Sequence, residues 1–411
     1  MSNTSTSPFD IEAIRSQFPV LEREVNGRKL VYMDNGATTH KPKAMTNAIT
    51  SYYETINSNV HRGVHHLSQR ATDAFELTRE KLRAHINAEH SYEVIFTKGT
   101  TDSINTVAWS FGELVKPGDE IIISTLEHHS NIVPWQMLCE RKGATLKVIP
   151  MDDHGVLDME AFKALLNEKT VLVAFNHISN ALGTINPVKE MTALAHEVDA
   201  AVVIDGAQSM PHLNVDVRDL DVDFYAISAH KMYGPTGIGA LYGKEEWLNK
   251  LPPYQGGGEM IDTVTFEKTT YAGLPHKFEA GTPHIEGVIA WAASIDWLNE
   301  LGMENISAYE QELLEYGTEA LLSVEGLKIH GTAPNKSALF SFNIDGLHHY
   351  DIGTLLDQLG IAVRTGHHCT QPLMNRMEVP GTIRASMGLY NTKEEIDTLV
   401  AGLNRVIPML K

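Results

Sequence analysis

Residues 225–235 of this chain, Tyr225-Ala226-Ile227-Ser228-Ala229-His230-Lys231-Met232-Tyr233-Gly234-Pro235, pass from an apolar run into a polar turn. The apolar part predicts a buried strand, and the closing glycine and proline end any regular element. Lys231 therefore follows the end of a strand, which is where α/β enzymes place their chemistry. A second apolar run at 200–204 ends at Asp205. Two neighbouring strands would bring this aspartate and Lys231 to one edge of a sheet.

A lysine and an aspartate at one sheet edge have a specific use in pyridoxal phosphate (PLP) enzymes. The amine of Lys231 can hold PLP as a Schiff base, and Asp205 can keep the pyridine nitrogen protonated, so that the ring acts as an electron sink. Each residue alone has a plainer interpretation, as a surface lysine and as a helix N-cap. The complete string Asp205-x-x-Gln208 … Ser228-x-His230-Lys231 favours PLP.

The chain resembles the fold-type I, aminotransferase class V family of PLP enzymes, and within it the SUF-type (group II) cysteine desulfurases. The resemblance runs from about Ile11 to the C-terminus, and its most specific parts are Asp205–Gln208, Ser228–Lys231 and Arg364–Cys369. It implies an α/β fold with a mainly parallel seven-stranded sheet, helices on both faces, and a smaller α+β domain. It also implies PLP as cofactor, L-cysteine as substrate, a homodimer, and a sulfur acceptor protein of SufE or SufU type.

Composition narrows the class of protein. The chain has 411 residues with 33 basic and 52 acidic side chains, a formal net charge of −19, which argues against nonspecific nucleic-acid binding. Two cysteines, Cys139 and Cys369, argue against a disulfide framework and fit a reducing compartment. Residues 1–8 are polar and are predicted to be disordered rather than a signal peptide, and no apolar run is long enough to span a bilayer. We expect a cytoplasmic protein with no membrane partner.

The order of the patterns predicts two domains. Between 94 and 242, strand and helix patterns alternate, which is typical of a mainly parallel sheet with helices on both faces. From 327 onward the pattern is that of a compact α+β domain. We predict an N-terminal tail and helix at 1–25 that packs with the small domain, a large PLP-binding domain at 26–290, and a small domain at 291–411 that carries the cysteine loop.

A strand, a tight turn and a helix at 94–111 predict an anion site. Backbone N–H groups at a helix N-terminus suit a phosphate, although a plain helix N-cap would use the same residue types. The family resemblance assigns Gln208 to the ring hydroxyl of PLP, and Thr100, Thr101, Ser228 and His230 to its phosphate. It also implies that the loop around Thr282 reaches the phosphate from the other subunit.

Further roles follow from the resemblance. His128 comes after a strand end and resembles the histidine that stacks on the cofactor ring and moves protons, with a turn histidine as the alternative. Its neighbour His129 is expected to be structural. Asn180 and Arg384 resemble the residues that hold the substrate α-carboxylate, which suits an arginine fork. For Arg364, substrate contact and positioning of the cysteine loop both stay open.

Cys369 is the predicted nucleophile. It lies in the polar loop 365–371 beside an arginine, and positive charge favours the thiolate. A buried hydrophobic role suits Cys139, in an apolar helix, better than Cys369. We predict no metal site: adjacent residues at 367–369 point apart on an extended loop, and the histidines of 61–66 lack a ligand spacing.

Together with the family resemblance, these observations predict a PLP-dependent cysteine desulfurase. It converts L-cysteine to L-alanine, with Lys231 as the PLP lysine and proton carrier and Cys369 as the acceptor of sulfur in a persulfide, and it supplies sulfur for iron–sulfur cluster assembly. One alternative is a selenocysteine lyase acting on L-selenocysteine. Another class V reaction, such as kynurenine hydrolysis or transamination, is disfavoured by the cysteine loop. A non-catalytic sulfur carrier or metal-binding scaffold would bind no chromophore.

Overall fold

The computed structural model describes residues 9–411, so the predicted disorder of residues 1–8 lies outside the described residues. The α-helices are α1 Ile11–Arg15, α2 Lys43–Thr55, α3 His66–His85, α4 Thr100–Phe111, α5 Val133–Lys142, α6 Met159–Leu165, α7 Val188–His196, α8 Glu245–Lys250, α9 Ile285–Leu301, α10 Met303–Leu322, α11 His349–Gln358, α12 Gln371–Arg376 and α13 Lys393–Leu410. The strands are β1 Glu24–Val25, β2 Arg28–Lys29, β3 Val31–Tyr32, β4 Val94–Thr97, β5 Glu120–Ser124, β6 Thr145–Ile149, β7 Thr170–Asn176, β8 Ala201–Asp205, β9 Phe224–Ser228, β10 Gly239–Gly243, β11 Ile261–Val264, β12 Thr269–Tyr271, β13 Leu327–His330, β14 Leu339–Ile344, β15 Ile361–Ala362, β16 Arg364–Gly366 and β17 Thr382–Ser386.

A seven-stranded sheet forms the centre of the large domain, in the order β4-β10-β9-β8-β7-β5-β6. The pairs from β9 through β6 are parallel, and β10 runs antiparallel to both of its neighbours. Every residue of β8 and β9 is buried, which explains why these strands are continuous apolar runs. The predicted mainly parallel seven-stranded sheet is therefore confirmed.

Helices cover both faces of this sheet, as predicted. Alternate residues of a strand point to opposite faces. In β8, Val202 and Ile204 join an apolar core that contains Trp291 of α9. The intervening Val203 joins a separate core that contains Trp135 of α5.

The small domain is an antiparallel sheet in the order β13-β14-β17-β16, with helices packed against it. The last helix, α13, begins with a capping box between Thr392 and Glu395. Its buried residues recur at helical spacing and join the core of the small domain together with Phe342 and Leu356. The predicted smaller α+β domain is confirmed.

Two local predictions differ from the structure. The sequence at 361–364 favours one strand, but in the structure this stretch divides in two, because β15 pairs with β3 while β16 pairs with β17. A hairpin of β11 and β12 lies after Tyr242, between a glycine-rich loop at 254–260 and a loop at 280–283, where the sequence pattern predicts no strand. Its residues are mostly exposed, so the sequence carries no alternation of apolar and polar residues there.

The beginning of the described chain contacts both domains. Arg15 forms an ion pair with Glu395 of α13 at 2.9 Å, and Phe18 packs edge-on against Tyr233 of the large domain. Val31 and Met33 lie in the core of the small domain. The residue limits of the domains remain predictions. None of the helices described in 9–411 combines the length and apolar character needed to cross a bilayer.

Candidate active site

A cavity of about 240 Å³ opens where the carboxyl ends of the parallel strands meet the small domain. Of the predicted site residues, it is lined by Thr100, Thr101, His128, Asn180, Asp205, Gln208, Ser228, His230, Lys231, Arg364, Cys369 and Arg384. The structure therefore brings together the predicted site residues with one exception. Thr282 is exposed in a loop outside this cavity, beside a small separate pocket lined by Gly281, Pro283 and His61.

One corner of the cavity is built for an anion. Ser228, the last residue of β9, accepts a hydrogen bond from the backbone N–H of Thr100 and donates one to its Oγ1, both at 2.9 Å. Thr100 begins α4, so this corner lies at a helix N-terminus, where the first backbone N–H groups have no acceptor within the helix. Gly99 has φ of 135°, a conformation that glycine tolerates. These donors fit the phosphate of PLP.

A buried acid and a shielded amine lie at the neighbouring strand ends. Asp205 ends β8 and accepts the backbone N–H of Ala207 at 3.0 Å. Burial raises the pKa of Asp205, and the charge of Lys231 opposes that shift. Burial lowers the pKa of Lys231 to about 8, so an appreciable fraction of its amine is unprotonated near neutral pH. That is the state in which an amine attacks an aldehyde, so the pair fits PLP.

Sequence reasoning missed a second buried acid. Glu127 is fully buried and accepts hydrogen bonds from the backbone N–H of Asn176 at 3.0 Å and from Asn131 Nδ2 at 2.6 Å. The amide of Asn131 has a fixed orientation, because its Oδ1 accepts from Trp135 Nε1, which can only donate. Burial raises the pKa of Glu127 to about 8, and the charge of Asp205 acts in the same direction. The available signal was an acid three residues after the end of the apolar strand β5, Glu120–Ser124.

His128 is neutral and has one tautomer. Burial lowers the pKa of His128 to about 3. Its Nδ1 accepts the backbone N–H of Ser130 at 3.1 Å. A backbone N–H can only donate, so the ring proton is on Nε2. His128 therefore offers an N–H donor from the ring nitrogen that Ser130 does not occupy.

The loop that carries Cys369 is held at several points. The Cys369 side chain is exposed, and both His368 and Cys369 have positive φ, 51° and 57°. Asn180 Nδ2 donates to the carbonyl oxygen of His368 at 2.8 Å. The backbone N–H of His129 donates to the carbonyl oxygen of Cys369 at 2.8 Å, and its Nε2 accepts from the N–H of Gln371 at 3.1 Å. These contacts fit the structural role expected for His129.

Two arginines share one carboxylate beside the thiol. Arg384 is buried; its Nη1 donates to the carbonyl oxygen of Asn180 at 2.8 Å and its Nη2 to Asp34 Oδ1 at 3.0 Å. Its Nε–H has no hydrogen-bond partner among the described residues. Arg364 is half exposed and donates from Nε to both oxygens of Asp34, at 3.0 and 3.1 Å. From the sequence alone, Asp34-Asn35-Gly36 indicates only a turn.

The chain is similar in sequence to known proteins over nearly its whole length. Residues 31–399 match the family described as Aminotransferase class-V. A cysteine desulfurase of Synechococcus elongatus is 49% identical over 399 residues, which cover 97% of this chain and 64% of that longer relative. A probable cysteine desulfurase of Synechocystis is 50% identical over 398 residues, which cover 96% of this chain and 95% of the relative.

The fold is also similar to those of solved structures of related enzymes. The cysteine desulfurase CsdA of Escherichia coli matches with a TM-score of 0.92 and 38% identity, over 98% of this chain and 100% of that one. A C-DES variant with glycine covalently linked to its PLP cofactor matches with a TM-score of 0.82 and 25% identity, over 95% of this chain and 98% of that one. The chain therefore belongs to the aminotransferase class V family of fold-type I enzymes. Within it, its activity is that of the cysteine desulfurases, and its cofactor is PLP.

Proposed function

We propose that this cavity converts L-cysteine to L-alanine and that Cys369 takes up the substrate sulfur as a persulfide. One observation carries the proposal: an exposed thiol, an amine with a pKa of about 8 and a buried aspartate line the same cavity. A sulfur carrier without catalysis would need no such amine and acid. Transamination and kynurenine hydrolysis would need no thiol there.

The anion corner and the buried acid–amine pair fit PLP. When bound, PLP accepts the electron pair left on the substrate when its α-proton is removed. Lys231 would hold it, Asp205 would face the ring nitrogen, and Gln208 the ring hydroxyl. The phosphate would be held by Thr100, Thr101, Ser228 and His230, with Thr282 of a second subunit.

Two groups are suited to move protons. The amine of Lys231, with its pKa lowered to about 8, can take and return the α-proton near neutral pH. His128 keeps its ring proton on Nε2 and can donate it or hold the cofactor ring in place. The substrate α-carboxylate binds Arg384 and Asn180. The unpartnered Nε–H of Arg384 supports this assignment, since a buried donor without a partner is costly until a ligand supplies one.

The sulfur step uses the exposed thiol. The thiolate of Cys369 attacks the substrate sulfur, so a sulfur–sulfur bond forms while the bond from sulfur to the β-carbon breaks. The electron pair of the broken bond stays with the carbon fragment, which takes up a proton and leaves as L-alanine. The persulfide remains on an exposed loop, where an acceptor protein of SufE or SufU type can collect it for iron–sulfur cluster assembly.

A homodimer in the cytoplasm completes the proposal. A groove of about 500 Å³ adjoins the anion corner at Thr100 and His230, which leaves room for a segment of a second subunit. The exposed position of Thr282 supports such an exchange. Both cysteines are free thiols, which suits a reducing compartment, since the mechanism needs Cys369 reduced.

Two measurements on one sample test the proposal. The purified protein should be yellow, and borohydride should fix the chromophore onto the peptide that contains Lys231. After incubation with L-cysteine, mass spectrometry should find one added sulfur on the Cys369 peptide. Cys139→Ser is the matched control, because that thiol is buried outside the cavity, and it should leave the labelling unchanged. Sulfur on Cys139, or a colourless protein that still releases alanine, would refute the mechanism. Parallel assays with L-selenocysteine measure the alternative activity.

A further inference from the structure

Asp34 is the only acid among the described residues that pairs with either arginine of the cavity. Its Oδ1 accepts from Arg384 Nη2 and from Arg364 Nε, both at 3.0 Å, and its Oδ2 accepts from Arg364 Nε at 3.1 Å. One carboxylate therefore joins a fully buried guanidinium to a half-exposed one. No role in the proposed mechanism is yet assigned to this carboxylate.

The turn that carries Asp34 is itself fixed from both domains. The backbone N–H of Gly36 donates to Ser386 Oγ at 2.8 Å, and its carbonyl oxygen accepts from Gln208 Nε2 at 2.7 Å. A Cβ placed on Gly36 would lie 3.1 Å from Cζ of Arg384, so the turn packs directly against the guanidinium group. The carboxylate thus has little freedom to move away from the arginines.

The two arginines and Asp34 together have a net positive charge that suits the binding of one further anion. Two guanidinium groups and one carboxylate sum to a single positive charge, which matches one α-carboxylate. Without Asp34, the two guanidinium groups would repel each other, and Arg364, whose side chain is 44% exposed, would be free to turn toward solvent. Arg384 would lose one of the two acceptors that orient it.

We propose that Asp34 is a positioning residue that sets the two arginines at the spacing required to bind the α-carboxylate of the amino-acid substrate. The inference rests on the proposed role of Arg384 as the carboxylate ligand. It also gives Arg364 a defined place: the second guanidinium group of the same carboxylate pocket, held there by Asp34. The loss of orientation outweighs the removal of a negative charge, because an arginine that has turned away no longer reaches the ligand.

The test compares two ligands that differ only in the α-carboxylate. L-Alanine and ethylamine are titrated into the PLP-loaded protein, and binding is followed by the absorbance of the bound cofactor. Asp34→Asn keeps the side-chain size. It should lower the affinity for L-alanine about tenfold to a hundredfold, the range expected for loss of a charge-assisted contact. The affinity for ethylamine should change by no more than about twofold. A crystal structure of the variant should show the two guanidinium groups displaced from each other.

Two further variants distinguish failure of the inference about Asp34 from failure of the proposed carboxylate site. Asp153→Asn removes an aspartate that contacts Arg376 at 3.1 Å outside the cavity, and it should leave both affinities unchanged. Arg384→Ala should lower the affinity for L-alanine and leave the affinity for ethylamine unchanged. Suppose that Arg384→Ala has this effect, but Asp34→Asn changes both affinities equally, changes neither, or raises the affinity for L-alanine. The inference about Asp34 is then wrong, although the assignment of the carboxylate site stands. If neither variant discriminates between the ligands, the carboxylate site itself is wrongly assigned.

Discussion

The two sides of the cavity are built differently. On the cofactor side, Asp205 and Ser228 end strands of the central sheet and are buried. Asp205 accepts the backbone N–H of Ala207, two residues further on, and Ser228 is hydrogen-bonded to Thr100 at the start of α4. On the sulfur side, Cys369 is exposed on a loop with two successive residues of positive φ, and three contacts from distant segments hold that loop. Strand ends supply preset positions for groups that never leave. A loop supplies an exposed thiol, as the proposed sulfur transfer to an acceptor protein requires, and the order of that loop depends on contacts from the large domain.

Removing Lys231, the proposed PLP lysine, should abolish the function of the cofactor side. Lys231→Ala deletes the amine at the strand end, and we expect turnover of L-cysteine to fall by at least about a thousandfold, because a covalent anchor and proton carrier are both lost. The release of alanine from L-cysteine measures this turnover. Lys336→Ala is the control: that lysine also has its pKa lowered to about 8 by burial, but it lines a different cavity and should keep turnover. Normal activity of Lys231→Ala would exclude the assignment.

Replacing the thiol should break the sulfur side and leave the cofactor side whole. In Cys369→Ser a hydroxyl of similar size replaces the nucleophile, so the variant should stay yellow, respond spectrally to L-cysteine, and form no persulfide or sulfide. Some activity on L-selenocysteine should survive, since selenium leaves carbon more readily than sulfur. The visible spectrum and a sulfide assay test the two halves separately. Loss of colour together with activity would show that the two sides are not independent.

Loosening the loop should have a smaller effect. His129→Ala removes the acceptor for the N–H of Gln371 but keeps the backbone contact to Cys369, so we expect persulfide formation to slow about tenfold with unchanged cofactor binding. His129→Gln offers an amide oxygen as a replacement acceptor and should restore most of the rate. Rapid-quench mass spectrometry of the Cys369 peptide measures it. Equal rates in wild type and His129→Ala would mean that the backbone contacts alone hold the loop.

The smallest effect concerns stability on the cofactor side. Burial lowers the pKa of His177 to about 4, against about 6.5 in an unfolded chain, so between these values the unfolded state binds a proton that the folded state does not. Acidification from pH 7 to pH 5 should therefore lower the free energy of unfolding by about 2 kcal/mol through this group. His177→Asn keeps a polar partner for Tyr225 without titrating, and should lose less stability on acidification. Urea unfolding at both pH values tests this, and identical losses would exclude His177 as a cause.

The cofactor side was open to prediction from sequence because its residues follow apolar runs. Asp205 and Lys231 come directly after such runs, and parallel strands bring their carboxyl ends together. Glu127 also follows an apolar strand, which is the one signal that the sequence offers, but this position alone does not distinguish a buried acid from an exposed one. Its burial depends on Asn131 and Asn176, which only the folded chain brings to it.

The sulfur side was only partly open to prediction. The polar loop around Cys369 is visible in the sequence, but its restraint is not, because Asn180 and His129 lie about 190 and 240 residues away. Asp34 illustrates the same limit. Aspartate, asparagine and glycine favour turns by local chemistry, so the residues at 34–36 give no sign of the two arginines that meet there.

The short strand β3 has a consequence for how the protein is made. Val31 pairs with Ile361, and Met33 accepts the backbone N–H of Ser386, so partners about 330 to 350 residues apart in the chain must meet. Such distant pairing is slow to form. On the ribosome, the strands of the seven-stranded sheet emerge well before β15 and β17. The segment of β3 and Met33 cannot form its pairings until both of these later strands have been made. A nascent chain can therefore assemble its seven-stranded sheet before its small domain is complete, and Cys369, the proposed nucleophile, reaches its final position among the last parts of the molecule.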